Sequence, residues 1–511
     1  MKPHRIAAVL VAVLALTVTG CTAAGTTSNP GGAAGSANGS GSITVLVAAD
    51  GGQNYDPQTN ASPSSSEFMM PVFESLLDED AHGVISAGLA TAWKYSADGT
   101  TLTLTLRGGV TFQDGTAFDS AAVKANIERG QTDSKSVIGG QLAAISSVDT
   151  PNPTTVVLHL KSAAGSLLGF LAGPAGMMGS PHAWQNANYA THPVGTGPWA
   201  VSDSSQPGSD MVYTAFKGYW NPSVQKVSAI HIRVGAEATF VPGLTGNNVQ
   251  AVMLTGAPTD GATLASAGLP VTDSGISYLH LMYLNKSGIF ADPRVREALS
   301  LAIDRNAICT SLLGGGCTVT AQPVQPKSWA YDSTLAAPKQ NIDQAKTLLA
   351  QAGHPAGISF TAVVASTGTQ LQTELTAIQQ MLAKANITMK ISPLPVAQLL
   401  PQLDAGTAQA YYTVNTGGVD PAIPLATMSA PAYDPGGYQD PALTAPLAAA
   451  DAATTQSARA TAYQQVSSAY QNSAFNVVVL NQKLQFATAK GLTGVSARDP
   501  LVLDLRGAGL S

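Results

Sequence analysis

Cysteine, histidine and paired acidic residues are the side chains through which this chain would do chemistry, and they are few and dispersed. The eight histidines, at positions 4, 82, 159, 182, 192, 231, 280 and 354, form no i,i+4 pair and no HExxH segment that would hold zinc on one helix face. No GxSxG elbow is present, and outside Asp78-Glu79-Asp80 the acidic residues stand singly between helices and turns. Gly195-Thr-Gly-Pro198 has the look of a phosphate loop. Pro198 nevertheless occupies the third position after the first glycine and no Lys-Ser/Thr follows, so the segment reads as a structural turn. Cys309 and Cys317 lie eight apart across Gly314-Gly315-Gly316, a flexible turn that could bring their Cα atoms within bridging range. Two unpaired, partly buried thiols are the alternative, and no His or carboxylate cluster accompanies them to make a metal site. The sequence therefore predicts no catalytic residue, no metal and no cofactor. A dispersed active site is the competing reading.

The third cysteine has a different context. Lys2 and Arg5 precede Ile6 to Gly20, an uncharged, mostly apolar run of 15 residues, short of the roughly 20 that a membrane-spanning helix needs. The run ends in Val18-Thr19-Gly20-Cys21, which resembles the bacterial lipobox, where small residues precede a cysteine that is lipidated and becomes the new N-terminus. An ordinary signal peptide with a chance cysteine is the alternative. Residues 22–42 contain only Thr, Ala, Gly, Ser, Asn and Pro and cannot bury enough apolar surface to offset their ordering entropy. Residues 1–20 thus read as a signal peptide and 21–42 as a flexible tether. A soluble body is expected at the outer face of the cytoplasmic membrane, anchored by more than one acyl chain on Cys21. In that oxidising setting a Cys309–Cys317 disulfide is the favoured pairing.

The elements that must carry any binding site follow from composition and periodicity. The chain has 511 residues, 45% hydrophobic and 11% charged, with a net charge of −6. That is enough for two to four domain-sized units, and the absence of a basic run argues against nucleic acid as a partner. Ile43-Thr-Val-Leu-Val47 reads as a first strand ended by Asp50-Gly51-Gly52. Alternation in Thr101-Leu-Thr-Leu-Thr-Leu106 predicts a half-buried strand, and Val156, Leu158 and Leu160 repeat it after Pro151-Asn152-Pro153. Asp98-Gly99 and Asp114-Gly115 are turn pairs expected to close a hairpin running through Leu106 and Phe112. Asp292-Pro293 starts a helix whose apolar positions recur until Gly314, with Arg294, Arg296, Asp304 and Arg305 expected on its solvated face. Asn341 with Gln344 caps a second helix, and Leu371, Leu375, Ile378 and Leu382 mark a third that leads into the strand Ile387–Ile391. Packing explains all these stripes.

Several blocks, in this order, carry a resemblance. They are Phe73-Glu-Ser-Leu-Leu77, Gly88-Leu-Ala-Thr-Ala-Trp93, the segment Ser96 to Phe118, Pro193-Val-Gly-Thr-Gly-Pro-Trp199, Asp292-Pro-Arg-Val-Arg-Glu-Ala-Leu299 with Ala302-Ile-Asp-Arg305, and Ala345 to Gly353. Together the chain resembles the extracellular solute-binding proteins of oligopeptide, dipeptide, nickel and related ABC importers (family 5), and the resemblance covers most of residues 43–490.

The resemblance implies a mixed α/β, two-lobed periplasmic-binding-protein-like fold that closes on a ligand, with a subdomain on lobe one. Mapped onto this chain, lobe one is 43–280 with the subdomain 77–192, lobe two is 281–469, and 470–511 returns to lobe one. Chain crossings are expected at Ser277–Asn285 and Phe475–Leu480. It also implies a monomer that carries a small-molecule or peptide ligand to ABC permease subunits without catalysis. Candidate ligand residues are Asn54, Tyr55 and Asp56 after the first strand, Tyr283 and Asn285 at the crossing, and Tyr411, Asn415, Thr416, Gly417 and Asp420 in the loop ending at Pro421; packing or turn formation is the competing role for each. Peptide-binding members resemble one another in an Asp four residues before that proline. Here that position is Gly417, so either Asp420 or Asp56 substitutes, or the ligand lacks an α-amine. The second reading favours a glycoside, an opine-like compound or a metal chelate, and a slip of alignment at Gly417-Gly418 is the alternative. Mass spectrometry is expected to find a lipid-modified Cys21 as the native N-terminus; an unmodified Met1, or a cleaved terminus without lipid, would contradict this.

Overall fold

The computed structural model describes residues 41–49, 52–255, 259–415, 418–428, 433–434, 437–438, 440–498 and 502–511. Cys21, the signal segment, nearly all of the tether, Thr416 and Gly417 lie outside the described residues.

A large mixed sheet organises the body. Its strands run in the order Ile387–Leu394, Ile358–Ala365, Ala410–Asn415, Val271–Leu284, Val477–Thr488, Ala251–Leu254, Ser42–Val47, Ala229–Val234, Asp210–Ala215 and Trp199–Val201. Ser42–Val47 is parallel to both its neighbours, and so is Ile358–Ala365. These two blocks are joined by two long antiparallel strands, Val271–Leu284 and Val477–Thr488, paired from Val271 opposite Ala487 to Met282 opposite Val477. Both are rich in Val, Leu and aromatic residues and nearly continuously buried, as strands covered on both faces require. Their ladder is interrupted between Asp273 and Ser277, where Gly275 takes a φ of 78°, a left-handed conformation that an L side chain rarely adopts.

The apolar core is divided among clusters. One packs Ile43, Tyr55, Phe68, Trp199, Ile230 and Phe486; a second packs Leu299, Ile308, Phe360, Leu375 and Val479; a third packs Tyr283, Leu403, Met428, Tyr463 and Val478. A fourth lies wholly within residues 76–178. It sits on the antiparallel sheet of Ala90–Tyr95, Thr101–Leu106, Thr155–Leu160 and Ile145–Asn152. Leu102, Leu104 and Leu106 enter this core while Thr101, Thr103 and Thr105 stay wetter, as alternation requires.

Three expectations are corrected. Asp98-Gly99 closes the hairpin between Ala90–Tyr95 and Thr101–Leu106, whereas Asp114-Gly115 closes a separate loop with a single bridge, Thr111 to Ala117, so no hairpin joins Leu106 to Phe112. The stripe from Asp292 is two helices, Pro293–Leu301 and Arg305–Leu312, because the Asp304 carboxylate accepts from the Ala307 amide and restarts the helix. Arg296 and Arg305 are buried rather than solvated. Arg296 donates to the carbonyls of Phe290, Ala291, Ser473 and Ala474, and Arg305 to those of Ser300 and Val478. Burial pushes the Arg305 pKa down to about 10. Arg294 stays exposed and pairs with Asp292.

A disulfide joins Cys309, in the second helix, to Cys317, whose short strand pairs with Val477–Thr488; their Cα atoms are 5.9 Å apart. Because so short a loop removes little entropy from the unfolded chain, Cys309→Ser should cost about 2–3 kcal/mol of unfolding free energy. Denaturant titration reads this, and two reactive thiols in the unfolded, unreduced protein would contradict the bridge.

Candidate functional site

A cavity of about 350 Å³ lies between helix Leu167–Ala172 and the ends of two strands of the large sheet. On one side helix Leu167–Ala172 supplies Gly169, Phe170 and Ala172, with Gln141, Gly173 and Pro174 beside it; on the other stand Tyr283, Tyr411, Thr413, Asn415, Ile423, Thr427 and Tyr433. Tyr283 and Tyr411 are register partners on adjacent antiparallel strands, and their rings stack at 6.1 Å between centroids. Tyr433 packs on Tyr283 at 4.7 Å. Alternation along Ala410–Asn415 puts Tyr411, Thr413 and Asn415 towards the cavity, while Tyr412 faces away and donates to Glu374.

The wall is held by its own hydrogen bonds. Asn415 Nδ2 donates to the Tyr283 hydroxyl at 3.3 Å, and the Tyr411 hydroxyl donates to Thr413 Oγ1 at 3.1 Å. Burial raises the pKa of Tyr283 well above the ordinary phenol value, and also raises Tyr411 and Tyr433, so the three rings are neutral at physiological pH. The charged side chains in the lining are Glu79 and Arg498.

The two carboxylates offered by the sequence as ammonium partners are already engaged. Asp420 lies directly behind the cavity, where Arg459 Nη1 and Nη2 donate to its two oxygens at 2.7 Å each; it also accepts from the Ala422 amide. Arg459 is flanked by the rings of Trp329 and Tyr463. Gly169 is required here: a Cβ would sit 2.9 Å from Asp420 Oδ2, so glycine lets the helix approach the ion pair. Asp56 is likewise gripped through both oxygens by Arg129 and does not line the cavity.

Of the other predicted residues, Tyr283, Tyr411 and Asn415 line the cavity together. Asn54 bonds Thr59 and the Asp56 amide, Tyr55 is stacked on Phe68 in a core, and Asn285 bonds the Leu403 carbonyl and the Ser287 amide; none of the three lines the cavity. Sequence reasoning missed Phe170, Gln141 and Tyr433. Phe170 sits in the apolar run 167–172, which reads as core, and Tyr433 has no local signal. Phe170 and Gln141 also line an adjoining cavity of about 400 Å³ that reaches Leu447, Asp451 and Tyr463. His280 is a satisfied core histidine between Glu374 and Gln482, at 2.8 and 2.9 Å. Among the described residues no group of three or more His, Cys, Asp or Glu could hold a metal.

Residues 84–435 match the bacterial extracellular solute-binding proteins, family 5 (middle region), and the chain belongs to that family. The glutathione-binding protein GsiB of Salmonella paratyphi A (strain ATCC 9150 / SARB42) is 31% identical over 405 residues, covering 74% of this chain and 76% of that relative. The structure of DppA from Helicobacter pylori in complex with peptide STSA superposes with a TM-score of 0.78 at 20% identity, covering 93% of this chain and 99% of that one. That of AgaA in complex with agropinic acid from A.tumefacien R10 gives 0.75 at 23% identity, covering 89% and 95%. The fold is therefore the two-lobed periplasmic-binding-protein fold, and the chain is a solute-binding protein of an ABC importer.

The Asp420–Arg459 pair makes a direct prediction. Both side chains are almost wholly buried, at 1% and 6% exposure. Arg459→Ala strands a buried carboxylate and should lower the unfolding free energy by about 3–5 kcal/mol. Urea denaturation reads the change, and a variant as stable as the parent would contradict the pair's role.

Proposed function

We propose that the imported solute is held in the cavity walled by Tyr283, Tyr411 and Tyr433, and that it is a polar, non-peptide compound such as a glycoside, an opine-like molecule or a metal chelate that brings its own ligands. The observation that carries this reading is the capture of Asp420 and Asp56 by Arg459 and Arg129. Glu79 and Arg498 also line the cavity, with Arg498 donating to the Glu79 carbonyl, so a ligand ammonium would meet both signs of charge there. A buried ammonium without a net counter-charge is costly, whereas tyrosine faces and the amides of Asn415 and Gln141 suit a ring or polyol. A second reading, a small peptide, is favoured by the likeness to a protein named for glutathione binding and to one solved with a peptide.

The rest of the working arrangement belongs to the same proposal. Lobe one is 43–280 with 470–511 and carries the subdomain 77–192; lobe two is 281–469; the lobes close on the solute as a hinge. The protein acts as a monomer without cofactor. Lipid on Cys21 and the tether hold it at the outer face of the cytoplasmic membrane, within reach of its permease.

Micromolar affinity requires only about 8 kcal/mol of net binding free energy, which an enclosed aromatic cavity can supply. A calorimetric screen of peptides against glycosides, opines and metal chelates is expected to find saturable binding among the non-peptides, weakened about tenfold or more by Tyr411→Ala. Tight binding confined to peptides would reject the non-peptide assignment in favour of the second reading.

A further inference from the structure

Lys286 is an ionisable group that the cavity does not touch, yet it is joined to it. It follows Tyr283 by three residues at the end of a central strand, and its side chain is 0% exposed. Its ammonium has an acceptor for each of its three protons: Asp434 Oδ1 at 3.1 Å, Asn476 Oδ1 at 3.3 Å and the Leu284 carbonyl at 3.3 Å. The Phe475 ring lies beneath it at 3.9 Å. Asn476 also accepts from the Leu284 amide and donates to the Tyr470 hydroxyl, so the cluster ties the ends of both central strands to Asp434. Asp434 is the residue after Tyr433, whose ring packs on Tyr283 and lines the cavity.

We infer that the buried Lys286–Asp434 ion pair is a positioning device for the solute cavity, holding residues 433–434 so that the Tyr433 ring stays against Tyr283 as part of the wall. The inference rests on the reading of that cavity as the solute site. A buried pair is poor evidence for net stability, because an apolar pair of similar volume often does as well. Its directionality is what matters here. Lys286 can grip Asp434 only from one side, because Asn476 and Leu284 fix the ammonium. One strand end thus carries both a wall residue and the anchor of the wall residue opposite.

The titration of Lys286 supplies a readout that a merely structural role would not move. The charged groups around it are Asp434 and Asp440, which favour its ammonium, and Arg296, which opposes it; the Tyr470 phenol, raised by burial, remains neutral. Desolvation outweighs the carboxylates and pushes the Lys286 pKa down to about 8 from 10.5. Native protein therefore loses this proton before unfolded protein does, and this group's contribution to stability rises with pH across that window. The grip on Asp434 weakens over the same window, so wall order and stability move in opposite directions.

Hydroxyl-radical footprinting of the solute-free protein, read by mass spectrometry at Tyr433 with the core residue Tyr213 as internal standard, tests this. Wild type should show Tyr433 oxidation rising severalfold relative to Tyr213 as pH passes through about 8, with no fall in melting temperature from this group. The variant K286M/D434N leaves neither charge unpaired; it should show the high Tyr433 oxidation already at neutral pH and no further step. Tyr433 equally protected at every pH and in the double variant would overturn the inference, and so would protection lost at Tyr433 and Tyr213 together. If the double variant does not fold, the wild-type pH series decides alone. No solute is used, so failure here leaves the cavity's assignment standing, and failure of the calorimetric screen leaves the ion pair's hold on Tyr433 standing.

Discussion

The antiparallel pairing of Val271–Leu284 with Val477–Thr488 is the constraint on which the other features rest. These two strands feed separate cores. Ile276, Leu484 and Phe486 pack with the first strand's neighbours, Met282, Leu284, Val477 and Val479 with the helices that follow Asp292, and Tyr283 and Val478 with the helices beyond Asp420. Where the ladder is interrupted, at Ser274 and Gly275, the chain is held instead by Ser274 Oγ donating to the Leu484 carbonyl. The disulfide, the buried lysine and the tyrosine wall all hang from the same pair of strands, so the wall's geometry is inherited from the most buried part of the sheet.

Charge is handled by internal consumption. Only 11% of residues are charged, and several of them are spent on one another: Asp420 with Arg459, Asp56 with Arg129, Asp78 with Arg498 and Arg506. Such pairs satisfy partners that burial would otherwise leave unpaired. On the proposed reading, the rings and amides of the wall hold the solute through desolvated contact area and directed hydrogen bonds, beside the Glu79 and Arg498 side chains of the same lining. A site of this kind discriminates by shape, which makes the placement of each ring decisive.

The parts legible in the sequence were those whose cause is local. Strict Thr-Leu alternation fixed which face of Thr101–Leu106 is buried, and Asp292-Pro293 and Asn341 with Gln344 marked helix starts that carry the corresponding side-chain caps. The break after Leu301 was missed because the apolar stripe runs on through Ile303 and Ile308, and only the capping carboxylate of Asp304 reveals it. Arg296 and Arg305 were misplaced because their acceptors are backbone carbonyls, some local and some of distant chain, which have no sequence signature. Tyr283 was singled out by its polar tip on an apolar strand, a criterion that also picked Asn285, which does not line the cavity, while Tyr411 and Asn415 came from the place the family resemblance gives to its ligand loop. Phe170 and Tyr433 were missed, because only tertiary folding brings an apolar helix and an isolated tyrosine to the same cavity.

A solute-binding protein that closes like a hinge should change shape when its cavity fills. Small-angle X-ray scattering of the protein, alone and saturated with the solute that calorimetry identifies, measures this directly. A smaller radius of gyration at saturation is predicted, as the lobes close around the tyrosine wall; a radius unchanged at saturation would contradict enclosure of the solute between two moving lobes.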